Sequence, residues 1–219
     1  MLVFTRPNRV SASSRRAMAL LCLSAAIPLR GSAEIVCALG PNASSYNAYQ
    51  DQRPSPDAME LAGQVNAAFR PVCRPACPQI ALFRNATAPN VMLVATPSGD
   101  AKIVYSPQFF TDIYEAAGDG AIIAVVAHEL GHALSETVPA AWMKTSWTSE
   151  IRADAWAGCA LATANLSARA LRNSVAALER YPAMNDPGWN ARLPGLRTGY
   201  LHCGGDSGRF TQAVTADRK

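Results

Sequence analysis

Apolar side chains recur every three or four residues along most of the chain, and this period places them on one face of a helix. Two of these stretches begin with a serine and a proline, Ser55-Pro56 and Ser106-Pro107, a pair typical of the first turn of a helix. The pattern predicts helices from Ser55 to Phe69, from Ser106 to Gly118, from Asp119 to Ser135, from Trp147 to Gly158, from Ser167 to Arg180 and from Ala191 to Cys203.

Short β-rich runs lie between the first two predicted helices. Val91–Thr96 and Lys102–Tyr105 are separated by Pro97-Ser98-Gly99-Asp100, which predicts a hairpin, and Ile80–Phe83 is a further strand candidate. Three prolines within residues 70–78 predict a loop before these strands. The expected fold class is therefore α+β, with a small hairpin or sheet packed on a mainly helical domain.

One predicted helix carries ionisable residues at the end of an apolar run, where His128-Glu129-Leu130-Gly131-His132 follows residues 121–127. Histidines four residues apart lie on the same helix face, so both imidazoles can reach one metal ion. Glu129 lies near that ion but is angled away from it, where it can take a proton from water. A chance pairing in a buried helix would leave two of the chain's three histidines at a costly position. The pattern favours a metal site.

The next predicted helix supplies a third candidate ligand, Glu150. Asp154 follows four residues later and shares its helix face. Two histidines and one glutamate are a standard ligand set of catalytic zinc, and an aspartate is well suited to accept the other ring N–H of a ligating histidine. The alternative is a solvated acidic and basic face. The small residues up to Gly158 instead favour the close approach of a second helix.

The two motifs, HELGH at 128–132 and SEIRADAWAG at 149–158, resemble those of the gluzincin zinc metallopeptidases. The resemblance is closest to the small bacterial members called neutral zinc metallopeptidases or minigluzincins, and it covers about residues 91–203. It implies a zincin-like fold with an HExxH active-site helix. It also implies that one Zn²⁺ ion is bound by His128, His132 and Glu150. In the same comparison Glu129 would be the general base, and Asp154 would support a ligand histidine.

Residues 1–33 are predicted to be an export signal. Four arginines precede a short apolar stretch, and the small residues Gly31-Ser32-Ala33 follow it as a cleavage site. The apolar stretch is too short to span a membrane, and no transmembrane span is expected. Residues 34–219 are expected to form one zincin-like metallopeptidase domain, with an N-terminal arm and helix over 34–78 and a catalytic core over 79–203. The expected location is the periplasm or the exterior.

Removal of the predicted signal changes the charge balance of the chain. Five of its 20 basic residues and none of its 16 acidic residues lie within residues 1–33, so the remainder carries a formal charge of −1. The basic pI of the whole chain, about 8.8, is therefore due to the basic residues of the predicted signal. Nucleic acid is not an expected partner, because the remaining chain has no net positive charge to attract phosphates.

The cysteines that follow the predicted signal are odd in number, which suits disulfides with one thiol left over. Cys159 and Cys203 could form one bridge. Cys73 and Cys77, or either of them with Cys37, could form the second, and the sequence leaves this choice open. A Cys-x-x-x-Cys zinc site is the alternative, but it has no second Cys or His pair to complete it.

Two further roles stay open at this level. An oxyanion stabiliser is expected, and the remaining histidine, His202, is the first candidate, ahead of Arg192, Tyr200 and Tyr105. The predicted hairpin lies where gluzincin-like proteins present an edge strand to an extended substrate, but an ordinary structural hairpin explains the same pattern equally well.

The function predicted from these features is that of an exported zinc-dependent endopeptidase. It would hydrolyse bonds in a peptide or protein substrate with a zinc-activated water and Glu129 as general base. A hydrolase of narrow purpose, acting on one envelope protein or cell-wall peptide, is a second possibility. The alternative is a zinc-stabilised envelope binding or assembly protein without general proteolytic activity. The motifs leave the natural substrate, manganese or cobalt occupancy, and the oligomeric state undetermined.

Overall fold

The structure is a computed structural model that describes residues 45–74, 77–78, 80–96, 100–182 and 187–215, and the backbone of residues 34–38. Most of these residues are helical. The predicted export signal over 1–33 lies outside these residues. The strands are β1 (Glu34–Ala38), β2 (Ala81–Arg84), β3 (Val91–Ala95) and β4 (Ala101–Tyr105). The helices are α1 (Pro56–Cys73), α2 (Pro107–Ala117), α3 (Asp119–Thr137), α4 (Ser149–Thr163), α5 (Ala168–Arg180), α6 (Trp189–His202) and α7 (Ser207–Thr215).

Hydroxyl caps start several of these helices where the sequence places a serine or threonine. The Ser55 hydroxyl accepts a hydrogen bond from the Ala58 amide, and the Thr148 hydroxyl accepts one from the Ile151 amide, which satisfies donors that the first turn leaves unpaired. The predicted loop over residues 70–78 begins later than expected. Helix α1 instead continues through Pro71 to Cys73, although Pro71 cannot donate a backbone hydrogen bond.

The sheet has the strand order β1-β3-β4-β2. Strand β3 is antiparallel to both β1 and β4, and β2 is parallel to β4. The predicted hairpin is therefore the centre of the sheet. Strand β1 lies along the free side of β3 in this hairpin. The sequence had placed these residues in an N-terminal arm. Leu93 and Ile103 face the helices, whereas Met92, Val94 and Val104 belong to a small apolar cluster on the opposite face.

Helix α3 is the central element of the core. Its residues from Gly120 to Leu134 are all buried, as expected for a helix that is apolar on every side. It contacts α1, α2, α4 and α5 as well as the sheet. One apolar cluster extends from Ala58 in α1 to Ala213 in α7 and includes this helix. The HELGH sequence near its end is therefore buried in the core.

Small residues allow α4 and α6 to run side by side in the same direction. A Cβ atom on Gly195 would lie 2.9 Å from the carbonyl oxygen of Ile151, and one on Gly199 would overlap the carbonyl oxygen of Ala155. The Cys159–Cys203 disulfide closes the far end of this pair. The expected bridge between these two cysteines is confirmed in the structure.

The second disulfide joins Cys73 to Cys77, which settles the choice that the sequence left open. Two disulfides fit an exported protein, because such bonds persist in oxidising compartments. The predicted α+β class with a mainly helical body is confirmed. Within the described residues, every helix is too short or too polar to cross a bilayer.

We expect Gly199→Ala to lower the free energy of unfolding by about 2 kcal/mol or more, because the added methyl group must push α6 away from the α4 backbone. Chemical denaturation followed by circular dichroism measures this change. Gly63→Ala is the matched control, since nothing lies within 4 Å of its added Cβ atom on α1. The control should be neutral or stabilising by up to about 1 kcal/mol. Equal stability of the two variants would contradict the proposed close contact.

Candidate metal centre

The metal motif lies where the backbones of α3 and α4 touch. A Cβ atom on Gly131 would lie 2.6 Å from the carbonyl oxygen of Ala153, so only glycine fits this contact without displacement. The contact places the first turn of α4, with Glu150, beside the last turns of α3. Gly158, which the sequence suggested for a helix contact, faces α6 instead, against the carbonyl oxygen of Leu196.

Three side chains converge at this point. The Nε2 atom of His128 lies 3.2 Å from the Oε2 atom of Glu150, and the Nε2 atom of His132 lies 3.6 Å from the same oxygen. All three ligand atoms lie within 4.8 Å of one another. Ligand atoms at the usual distances from a tetrahedral zinc ion are separated from each other by about 3.3–3.6 Å. The two nitrogen–oxygen separations are close to this range, and the three side chains have the chemistry that one divalent ion requires.

The protonation states of the group also suit metal binding. Burial lowers the pKa of His132, which favours the neutral ring with a lone pair to donate. Burial would raise the pKa of Glu150, but hydrogen bonds with His128 and His132 outweigh it and hold this pKa well below its usual range. Two neutral imidazoles and one carboxylate are the forms that bind a cation.

A buried chain of hydrogen bonds orients His128. Its Nδ1 atom lies 2.9 Å from the Oδ1 atom of Asp154. Arg192 donates two hydrogen bonds to the same carboxylate, from Nη2 to Oδ1 at 2.8 Å and from Nε to Oδ2 at 2.7 Å. Asp154 is fully buried and Arg192 is 1% exposed.

The charge of Arg192 favours the ionised form of Asp154 in this series of hydrogen bonds. Burial would favour the protonated form of Asp154, but the hydrogen bonds from Arg192 and then from His128 outweigh it and lower the pKa of the carboxyl group. An ionised Asp154 accepts a hydrogen bond from Nδ1–H of His128. The Nε2 atom of the same ring faces Glu150, 3.2 Å from its Oε2 atom.

Glu129 is held by the sheet. It is completely buried, and its Oε2 atom accepts a hydrogen bond from the backbone amide of Leu93 in β3 at 2.8 Å. The predicted general base, which is next to His128 in α3, is therefore tied to one strand of the sheet.

His202 lies apart from this group. Its exposed ring stacks on Trp142, with centroids 4.4 Å apart. It precedes Cys203, which is bonded to Cys159, nine residues beyond Glu150 on α4. Nine residues span about 13 Å of helix. The geometry therefore gives no support to His202 as an oxyanion stabiliser.

The other three candidates for that role make different contacts. Arg192 binds Asp154, as described above. The hydroxyl of Tyr105 accepts a hydrogen bond from the Ser55 amide at 3.1 Å. The buried ring of Tyr200 packs against Phe210, with centroids 5.2 Å apart. None of these contacts among the described residues directs a donor at the ligand group.

A cavity of about 620 Å³ opens beside His132. Its apolar lining comes from the sheet and α3, and its polar lining from the end of α3 and the start of α4. The described lining residues include Ile80, Leu93, Ala133, Glu136, Trp147 and Arg152. The sequence offered no signal for this cavity, because its wall is assembled from four separate elements.

Sequence reasoning also missed two polar contacts at the centre. It considered Arg192 only as an oxyanion stabiliser, and it did not anticipate the hydrogen bond from Leu93 to Glu129. A buried arginine in a helix that otherwise packs on small residues was the available signal for the first. The hydrogen bond from the Leu93 amide to Glu129 could not be predicted, because any residue other than proline has the same backbone donor.

Comparison with protein-family models, with curated proteins and with solved structures finds no match for this chain.

Replacement of Arg192 tests the buried hydrogen bonds between Arg192, Asp154 and His128. We expect Arg192→Met to lower the free energy of unfolding by about 3–5 kcal/mol, because it leaves the Asp154 charge buried without its cationic partner. Arg197→Met is the matched control, since Arg197 is exposed on the same helix and should change stability by less than about 0.5 kcal/mol. Denaturant unfolding of both variants measures the difference. A small effect of Arg192→Met would contradict a structural role for this pair.

Metal loading tests the ligand group. We expect the purified chain to bind one zinc ion, and zinc at about 100 times its dissociation constant should add about 2.7 kcal/mol of stability that a chelator removes. Glu150→Ala should lose most of this stabilisation, because it removes one of three ligands. Glu179→Ala, an exposed change on α5, should retain it. Thermal unfolding with and without zinc, together with metal analysis, measures both. Equal zinc content in the two variants would remove Glu150 from the ligand set.

Proposed function

We propose that this chain is an exported zinc-dependent endopeptidase of the gluzincin type. The observation that carries the proposal is the convergence of the ligand atoms of His128, His132 and Glu150 within 4.8 Å of one another, with the buried Glu129 next to His128 on the same helix. This arrangement provides three protein ligands and a base, which is the composition of a hydrolytic zinc site. The two disulfides support a periplasmic or secreted location.

A zinc ion held by these three residues would supply Lewis acidity and lower the pKa of water to about 7. The carboxylate of Glu129 accepts the proton of the attacking water and returns it to the leaving amine. The amide of Leu93 holds this carboxylate in place. Asp154 and Arg192 hold His128 in the tautomer that presents Nε2 to the metal.

The cavity beside His132 supports a peptide or protein as the substrate. Its apolar wall, which includes Ile80, Leu93 and Ala133, suits an uncharged side chain next to the scissile bond. Arg152 at its rim carries a charge that suits a backbone carbonyl or carboxylate of the same substrate.

Replacement of the base tests the proposed chemistry. Glu129→Gln should retain zinc and lose at least about 100-fold in kcat, because glutamine cannot accept a proton and general-base catalysis contributes this much or more. Cleavage of an unbiased peptide mixture, read by mass spectrometry, compares this variant with the wild type. Glu179→Gln on α5 is the control and should cleave normally.

Cuts that are made by the wild type, stopped by a chelator and absent from Glu129→Gln would establish a peptidase. The residues that flank those cuts would then define its preference. Cleavage by Glu129→Gln at the wild-type rate would exclude this residue as the base. No cleavage by wild-type chain that contains zinc would favour the envelope binding or assembly protein instead.

A further inference from the structure

The hydrogen bonds of the hairpin distinguish the two edges of β3. The Thr96 amide donates to the carbonyl of Asp100 at 2.8 Å, and the Ser106 amide donates to the carbonyl of Asn90 at 2.6 Å. Hydrogen-bonded pairs alternate along an antiparallel ladder. The even-numbered residues of β3 therefore direct their backbone groups to β4, and the odd-numbered residues direct theirs to the opposite, outer edge.

Glu129 lies against the outer edge of β3. Leu93 is odd-numbered, and its amide donates to Oε2 of Glu129 at 2.8 Å. A peptide that is attacked beside Glu129 must therefore pass along this edge in extended form. The remaining outward groups of β3 are arranged to pair with its main chain, which is the general mode of strand addition to a sheet.

The chain's own strand β1 lies on this same edge. It pairs antiparallel to β3, with Ile35 opposite Val94 and Cys37 opposite Leu93. The register shifts between Ile35 and Cys37, so one additional residue of β1 bulges at the position where the Leu93 amide turns to Glu129. The backbone of β1 therefore lies along the edge that contacts Glu129, where the proposed function places a scissile bond.

Three features make β1 displaceable. It has only five residues, its ladder is interrupted by the bulge, and short pairings of this kind open at low cost in free energy. Neither disulfide ties it to the sheet, because Cys37 is outside both bridges, which use the four other cysteines after residue 33.

We propose that β1 is an intramolecular competitor of substrate, which occupies the peptide-binding edge of β3 until it is displaced or removed. The inference rests on the proposed peptidase function, since it identifies where an extended peptide binds. Its partner is the main chain of an extended peptide segment, and β1 is the segment that the chain itself supplies. Release of β1 frees the edge without altering the ligands or the base.

Kinetics of two zinc-loaded forms test this proposal. One begins at Glu34, the predicted start of the mature chain, and the other at Leu39, directly after β1. Removal of a bound competitor raises the population of the competent state, so the shorter form should show a KM about fivefold lower or more, with kcat unchanged. Thermal unfolding and zinc content establish that both forms are folded.

Substitutions in the longer form test the same point without a deletion. Cys37→Pro removes the backbone donor opposite Leu93 and should reproduce the lower KM of the shorter form. Cys37→Thr is the matched control, because threonine retains the donor and favours a strand, and it should keep the higher KM. Equal KM values for all four forms would overturn the proposal.

A binding measurement separates failure of this inference from failure of the proposed function. The labelled peptide Glu-Ile-Val-Ser-Ala, which copies β1 with serine in place of cysteine, is titrated against both forms in the Glu129→Gln background. Fluorescence anisotropy should show binding to the form from Leu39, at least fivefold weaker binding to the form from Glu34, and no binding of a scrambled peptide. This result would support the competitor role even if neither form cleaves peptides. Equal or absent binding to both forms would overturn it.

Discussion

The contact between Gly131 and Ala153 is the constraint on which the site depends. It brings the backbone of α3 against that of α4, and only then does Glu150 reach the two histidines on the neighbouring helix. A larger residue at position 131 would separate the helices by the width of a methyl group, and the donor atoms would no longer share one point. The same close packing continues from α4 to α6, where Gly195 and Gly199 face carbonyl groups of α4. Three helices are thereby stacked at backbone contact around the ligands.

This packing also buries a set of ionisable groups that would be unfavourable alone. His128, Glu129, Asp154 and Arg192 are each no more than 1% exposed, and removal of such groups from water costs several kcal/mol per charge unless they are paired. Arg192 and Asp154 neutralise each other with two parallel hydrogen bonds, and Asp154 extends this pairing to His128. The pair contributes less to net stability than to position, because it fixes which nitrogen of His128 carries the proton. Helix α6, far from the HELGH motif in sequence, is thus part of the metal centre.

The sheet contributes through its backbone. Leu93 provides both an apolar side chain to the cavity beside His132 and an amide to Glu129. The outer edge of β3 is where the base, the ligands and an extended chain meet, and β1 is the segment that lies there. Under the proposal made above, the location of β1 links the arrangement of the sheet to the control of access, since the same backbone groups would pair with either an internal strand or a peptide.

The sequence by itself determined those features that depend on local spacing. Histidines four residues apart must share a helix face, the all-apolar run before them requires a buried helix, and serine–proline pairs start helices where hydroxyl caps are found. The α+β class, the central helix and the Cys159–Cys203 bridge were therefore predictable. Helix α7 and strand β1 were not, because the first is short and the second forms by pairing with a strand more than 50 residues away.

Only the tertiary structure decided which distant residues meet. It placed Arg192 behind Asp154, where composition allowed several roles, and it placed His202 on Trp142, away from the ligands. It also assigned Gly131, rather than Gly158, to the contact between the two motif helices. These outcomes depend on helix packing angles and on backbone hydrogen bonds, which are set by the whole core. Residue identity at a single position determines neither. For this reason the grouping of His128, His132 and Glu150 could be predicted from the sequence, whereas the residues that support it and the strand that pairs with β3 could not.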